Sequence, residues 1–227
     1  DALSFVDSSG VGVRVLGNGA WGVASSRDLS NEEVDRVTGL AVQIAKASAL
    51  APGKPVMLGP AVTSRGTYVT PIQIDPFSIT TEEKIALLLD ADSAMARVKG
   101  VNVRQGHLVL ICEEKYFANS EGAETQQTIY EAGGGIVATA ILGDEVQHRS
   151  YPNSGGQQGC AGWEYILAME LPGNAERIAS EAAALLTADE CPSDFHTTVI
   201  LDGSQVALQV HESCGHPAEL DRVFGTE

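Results

Sequence analysis

The chain has 227 residues, 44% of them hydrophobic and 19% charged, the make-up of a globular protein with a core of its own. Its 14 basic and 30 acidic residues leave a formal net charge of −16, a field that repels phosphate backbones and disfavours nucleic-acid binding. No run approaches the roughly 18 apolar residues of a membrane span, and four scattered cysteines without a Cys-x-x-Cys pair fit reduced thiols in the cytoplasm better than a disulfide scaffold.

In chain order, Val11, Val13 and Val15 alternate with small or polar residues, and Asn18-Gly19 is a tight-turn pair. Residues 20–25 return as the partner strand. Ser30 followed by Glu33 has the form of a capping box. It opens a helix in which Val34, Val37, Ala41, Ile44 and Ala45 recur at helical spacing, ending near residue 49 before Pro52-Gly53. Residues 51–79 contain Pro52, Pro55, Pro60, Pro71 and Pro76 and read as an extended connection with a short strand near Tyr68. Thr80 and Glu83 repeat the capping-box pattern ahead of a helix to about residue 98, closed by Gly100.

From 101 to 151 the period changes to two. Strands are expected at 101–103, 108–112, 125–131, 136–142 and 146–151, an antiparallel meander on which the two helices pack. Gly133-Gly134-Gly135 lacks the Lys-Ser/Thr and the strand-to-helix setting of a phosphate loop. Residues 151–162, rich in Gly, Asn, Gln and Ser, read as a linker or as a loop over a site. A helix follows at 163–169, and Asn174 caps an alanine-rich helix over 175–188. Residues 197–201 form a β-branched strand that turns through Asp202-Gly203-Ser204 into a last helix. The fold is thus α/β of the α+β kind: an antiparallel sheet flanked by helices, in one domain over 1–227, with the last helix at its C-terminal end.

That helix carries Val210-His211-Glu212-Ser213-Cys214-Gly215-His216. Imidazole is a standard zinc ligand, and a carboxylate beside a metal can deprotonate water. Zincins space their two histidines by four; here the spacing is five, which on an ideal helix places the second ring roughly 140° from the first. The rings can share an ion only if the helix breaks or bulges, which Gly215, tolerant of unusual angles, and Pro217, which biases His216 away from the helical region, would permit. The competing reading is a helix end with two exposed histidines. Glu219 either accepts a hydrogen bond from a ligand imidazole or is a surface charge. Cys214 reads as packing and Trp21 as core. His107, His148, His196 and Cys160 have no motif context.

The stretch from His211 to Arg222 (His-Glu-Ser-Cys-Gly-His-Pro-Ala-Glu-Leu-Asp-Arg) resembles the signature of the TldD/PmbA family of metallopeptidases. So do Gly10-Val-Gly-Val-Arg-Val-Leu, Gly19-Ala-Trp-Gly-Val-Ala-Ser with Asp28-Leu-Ser, and His148-Arg-Ser-Tyr followed by Gly155-Gly-Gln. The similarity runs over nearly the whole chain. It implies a zinc-dependent peptidase that cleaves peptides or unfolded polypeptide segments. His211 and His216 would bind Zn2+, and Glu212 would activate a metal-bound water. The family's third ligand is a cysteine in a C-terminal β-rich domain that this sequence does not contain, so this segment alone is expected to hold zinc weakly and to be inactive. The resemblance also implies a homodimer, or a heterodimer with a family member, with no nucleic acid and no membrane as partner. His148-Arg149 falls in the family's central segment, which leaves a substrate-side role open. A reading of another class is a non-catalytic, peptide-binding partner subunit of a peptidase complex; the retained histidines and glutamate argue against it. A role as regulator of a DNA enzyme, also attached to the family, has no support in the acidic charge.

Overall fold

The computed structural model describes residues 2–61, 63–194 and 196–225, which fall into two compact units, Asp1–Thr63 and Ser64–Glu227. In the smaller unit, β1 (Val11–Gly17) and β2 (Ala20–Ser26) form an antiparallel hairpin. Its turn residues Asn18 and Gly19 have φ of 52° and 78°, the double left-handed conformation that two-residue hairpins of this kind require. Helix α1 (Asn31–Ser48) lays Val37, Ala41 and Ala45 on the hairpin, all three buried. The approach is backbone to backbone: a Cβ on Gly22 would run into the Ala41 carbonyl and the Ala45 amide.

The expected capping box at Ser30 does not form, because Ser30 makes no side-chain cap bond. Glu33 is engaged elsewhere, accepting 2.7 Å bonds from Nε and Nη2 of Arg36. The Arg36 guanidinium first, and then the Ser26 hydroxyl, hold the Glu33 carboxyl down to about 2. At Thr80, by contrast, both halves of the box are present. Thr80 Oγ1 accepts from the Glu83 amide at 3.2 Å, and Glu83 Oε2 accepts from the Thr80 amide at 3.1 Å.

In the larger unit every strand among the described residues pairs with one central strand, β5 (Glu124–Leu142). Along one edge of it runs β4 (Val101–Ala118), antiparallel, with Leu110 opposite Ala132. Along the other edge come β3 (Arg65–Val69), β7 (Gln157–Gly159) and β6 (Glu145–Tyr151). β3 is parallel to β5, and the other two are antiparallel. The sheet is therefore mixed, and two strands of 18 and 19 residues replace the four short ones expected. The gaps expected between the short strands, at residues 104–107 and 132–135, lie inside the long ones. A Cβ on Gly134 would lie 2.6 Å from the His107 carbonyl, and one on Gly135 would meet the Gly155 carbonyl. The glycines let neighbouring backbone come close without ending the strand.

Ala132, Ile136, Ala138 and Ala140 of β5 are fully buried. They sit under α2 (Thr81–Met95), α3 (Trp163–Ala168) and α4 (Leu171–Leu185), which contribute Met95, Ile166, Leu171 and Ile178 to the core. This face is covered by α2, α3 and α4, whereas α1 is used on its own hairpin. Glu164 ties α3 to the proline-rich connection, accepting from the Ile74 amide at 3.0 Å and the Gly162 amide at 2.9 Å. Three other expectations need correcting. Residues 151–162 are not a linker but a short 3-10 turn, Asn153–Gly155, and then β7. Helix α4 begins at Leu171, with Pro172 in its first turn, and Asn174 lies inside it, its Nδ2 donating to the Glu170 carbonyl at 3.2 Å. Residues 197–201 form no strand; β-branched residues favour strands only where a sheet edge accepts them.

Gly22→Ala is expected to destabilise the hairpin–helix unit by about 1–3 kcal/mol, the usual cost of overpacking a closed contact. Urea unfolding followed at Trp21 measures it, and an unchanged midpoint would contradict the tight backbone approach.

Candidate metal centre

Helix α5 (Gly203–Val210) is started by Asp202, whose Oδ1 accepts from the Gln205 amide at 3.0 Å and from the Ser204 hydroxyl at 2.9 Å. The Gln205 amide, then the Ser204 hydroxyl, lower the Asp202 carboxyl from its usual range. Ser204 Oγ in turn accepts from Asn153 Nδ2 at 2.9 Å. This chain of bonds pins the start of α5 to the turn after β6.

The helix then widens. His211–Gly215 is a π-helical turn, and the His216 amide donates to the His211 carbonyl five residues back. Because a π turn closes i→i+5, five steps complete roughly one turn, and the second imidazole returns over the first. The ring centroids of His211 and His216 lie 4.6 Å apart in an edge-to-face arrangement. Neither device expected from the sequence is used. Gly215 has ordinary helical angles (φ −66°, ψ −60°), and so does His216 (φ −61°, ψ −43°). Pro217 acts differently: it has no N–H to give to the Ser213 carbonyl, and its ring would press on that carbonyl in a regular α-helix. The expanded turn relieves both problems. A 3-10 turn, His216–Ala218, and a short helix α6 (Leu220–Phe224) follow.

Donor atoms of His211, Glu212 and His216 all lie within 4.8 Å of one another. His216 Nε2 is 3.9 Å from Glu212 Oε2. On the other side of the ring, His216 Nδ1 is 2.7 Å from Glu219 Oε1, and Arg222 Nε stands 3.7 Å behind on Glu219 Oε2. Glu219 thus stands where outer carboxylates accept the Nδ1 proton of a ligand imidazole and turn Nε2 toward the ion. Donors bound to one zinc at about 2.1 Å lie roughly 3.4 Å apart, somewhat closer than the 4.8 Å limit within which these atoms fall. Imidazole donors suit zinc, and Glu212 lies beside them.

Of the remaining candidates, Cys214 is exposed rather than packed, and Cys160 and His196 are exposed as well. His148 and Arg149 on β6 line a groove of about 610 Å³ together with Arg177 and Glu181 of α4 and with Asp202, Ser204 and Leu208. Glu181 holds Arg177 Nη1 at 2.8 Å and Arg149 Nε at 3.7 Å. His211 follows Leu208 by three residues, about 4.5 Å along the helix axis. The Asn153–Ser204 tether had no local signal in the sequence, since its partners are 51 residues apart. Among the described residues no helix is long and apolar enough to cross a membrane.

Comparison with known proteins bears on the same features. Residues 74–188 match the model of the PmbA/TldA metallopeptidase central domain, and residues 1–45 match that of PmbA/TldA metallopeptidase domain 1. The chain is 27% identical over 224 residues to metalloprotease MJ0996 of Methanocaldococcus jannaschii, covering 95% of this chain and 46% of that protein. It is 28% identical over 224 residues to a metalloprotease of Methanothermobacter thermautotrophicus, covering 96% of this chain and 45% of that protein. The chain thus spans about half the length of the curated relatives it matches. The fold is similar to that of TldE from Thermococcus kodakarensis, at 16% identity and a TM-score of 0.50, over 74% of this chain and 36% of that one. A Thermotoga maritima MSB8 protein proposed as a modulator of a DNA gyrase superimposes with a TM-score of 0.57 at 16% identity, over 81% of this chain and 39% of that one.

Glu219→Gln removes the charged acceptor at His216 Nδ1 while keeping size and shape. It is expected to weaken zinc affinity by about 10–100-fold, read by competition with a chromophoric chelator. An unchanged affinity would mean that Glu219 does not orient the ring.

Proposed function

The chain belongs to the PmbA/TldA metallopeptidase family, and from that premise we propose that it carries the metal-binding and general-base half of a zinc-dependent peptidase acting on peptides or unfolded polypeptide segments. The observation that carries this reading is the convergence of His211, Glu212 and His216 on one point, with Glu219 behind His216. His211 and His216 would hold the ion, which when bound supplies Lewis acidity to the scissile carbonyl and to water. Glu212 is the base. It adjoins one ligand in sequence and stands 3.9 Å from the other ring. Its carboxylate takes the proton of the attacking water and passes it to the leaving amine. Glu219 would accept the Nδ1 proton of His216 and so turn Nε2 toward the ion.

Catalytic zinc sites use three protein ligands. Two imidazoles leave one place, which we assign to a donor in the length of the relatives that this chain does not span, on the same or a second subunit. The groove beside α5, with polar residues from β6 and α4, is where we place part of the peptide. A non-catalytic partner subunit would need no base, and a carboxylate set between two imidazoles favours the catalytic reading over that one.

The test is Glu212→Gln in a protein of the relatives' full length. Zinc, counted by elemental analysis, should stay near one per chain, while peptide hydrolysis falls by roughly a hundred- to ten-thousand-fold. A full-length protein that binds no divalent metal, or a Gln variant that cleaves at the parent rate, overturns the proposal.

A further inference from the structure

The groove beside α5 differs in charge from the chain around it. The whole chain has 14 basic and 30 acidic residues, yet the lining sets two guanidiniums, Arg149 and Arg177, against only two carboxylates, Glu181 and Asp202. Asp202 is engaged at the start of α5, where its Oδ1 accepts from the Gln205 amide at 3.0 Å and from the Ser204 hydroxyl at 2.9 Å. Glu181 is left as the one carboxylate between the two arginines. This part of the groove therefore has one more cation than it has anions to meet it.

The two arginines are held differently. Arg177 is fixed on three sides. Its Nη1 donates to Glu181 Oε1 at 2.8 Å, its Nη2 donates to Asn174 Oδ1 at 3.0 Å, and its Cζ lies 5.5 Å from the centre of the Tyr151 ring. Arg149 makes no hydrogen bond to any described residue. Its nearest anion is Glu181 Oε2, 3.7 Å from Nε, which is beyond hydrogen-bond distance. An ion triad that served stability alone would close Arg149 onto Glu181 as Arg177 is closed. Instead the Arg149 side chain stays 53% exposed in the groove wall, with its donors unmet by protein.

We propose that Arg149 sets substrate specificity by receiving a carboxylate of the bound peptide, with Arg177 as the fixed cation beside it. The carboxylate is either the C-terminal one or that of an Asp or Glu side chain. The inference deepens the peptidase reading and rests on it for the ligand being a peptide. A guanidinium offers parallel N–H donors that match the two oxygens of a carboxylate. The groove residues of α5 and its cap, Asp202 to Leu208, precede His211 by nine to three positions. That is about 13.5 to 4.5 Å along the helix axis, the reach of roughly four residues to one of extended peptide. The carboxylate so recognised lies within about four residues of the bond that is cut.

The test uses a protein of the relatives' full length, stripped of metal by a chelator so that peptides bind without being cut. Fluorescent peptides of one sequence without acidic residues are compared by anisotropy: one with a free C-terminus, one amidated, and an amidated set with a single glutamate at successive positions. The free acid, or one of the glutamate peptides, should bind about ten- to a hundredfold more tightly than the amidated parent, and which of them does so tells where the carboxylate comes from. Arg149→Gln should abolish that difference and leave binding of the amidated parent as it was. Arg149→Glu should turn the preference toward a peptide with a single lysine, a result that an unfolded variant cannot give. Equal or absent binding of all the peptides, or a preference that survives Arg149→Gln, overturns the inference and leaves the peptidase reading to its own test. A protein that keeps the carboxylate preference but, with metal supplied, binds none and cleaves nothing overturns the peptidase reading and upholds the carboxylate site.

Discussion

The larger unit depends on one constraint: a single 19-residue strand, β5, must satisfy hydrogen bonds on both edges while four other strands attach to it. Side chains in the middle of such a strand would hold its neighbours at a distance. Gly133, Gly134 and Gly135 remove that obstacle, and segments 155–158 and 107–108 close in from either side. The even-numbered alanines and Ile136 then present a flat apolar floor for α2, α3 and α4. Through this floor α4 is fixed beside β6, and the groove next to α5 takes its shape.

Much of this was legible in the sequence, and the exceptions have physical reasons. The Asn18-Gly19 hairpin and the Thr80–Glu83 box were readable because a tight turn and a cap are local chemistry. Ser30 and Glu33 had the same pattern but failed, because Arg36 stands one turn further on and takes the carboxylate. The two long strands read as four from the sequence because Gly106 and Gly133-Gly134-Gly135 interrupt the apolar pattern, while in the fold these glycines are close contacts. Residues 157–159 read as linker or loop from the sequence because their strand character comes entirely from β5. The parallel partner of β3 could not be seen at all, since nothing in Arg65–Val69 names residues 124–128.

The His-Glu-x-x-x-His stretch was legible as a candidate, and so was its difficulty. Five positions do not superimpose on an α-helix, and some distortion had to exist for the rings to meet. The kind of distortion was not legible. A break at Gly215 and a widened turn lead to the same convergence, and only the backbone angles separate them. The widened turn keeps every residue from His211 to His216 helical, so both rings stay on one continuous, regular support. Glu219 was visible as an option in the sequence and takes its position because the chain turns extended there, at ψ 138°.

The parallel ladder between Arg65–Val69 and residues 124–128 also sets an order of assembly. β4, β5 and β6 follow one another through short turns and can zip together as they are made. β3 is synthesised first but has no partner until the whole of α2 and β4 and the start of β5 have emerged, and closing that long loop costs entropy before any ladder bond repays it. The first strand of the larger unit to leave the ribosome is therefore not the first to be seated, and until it is, the opening stretch of β5 stands with one side bare.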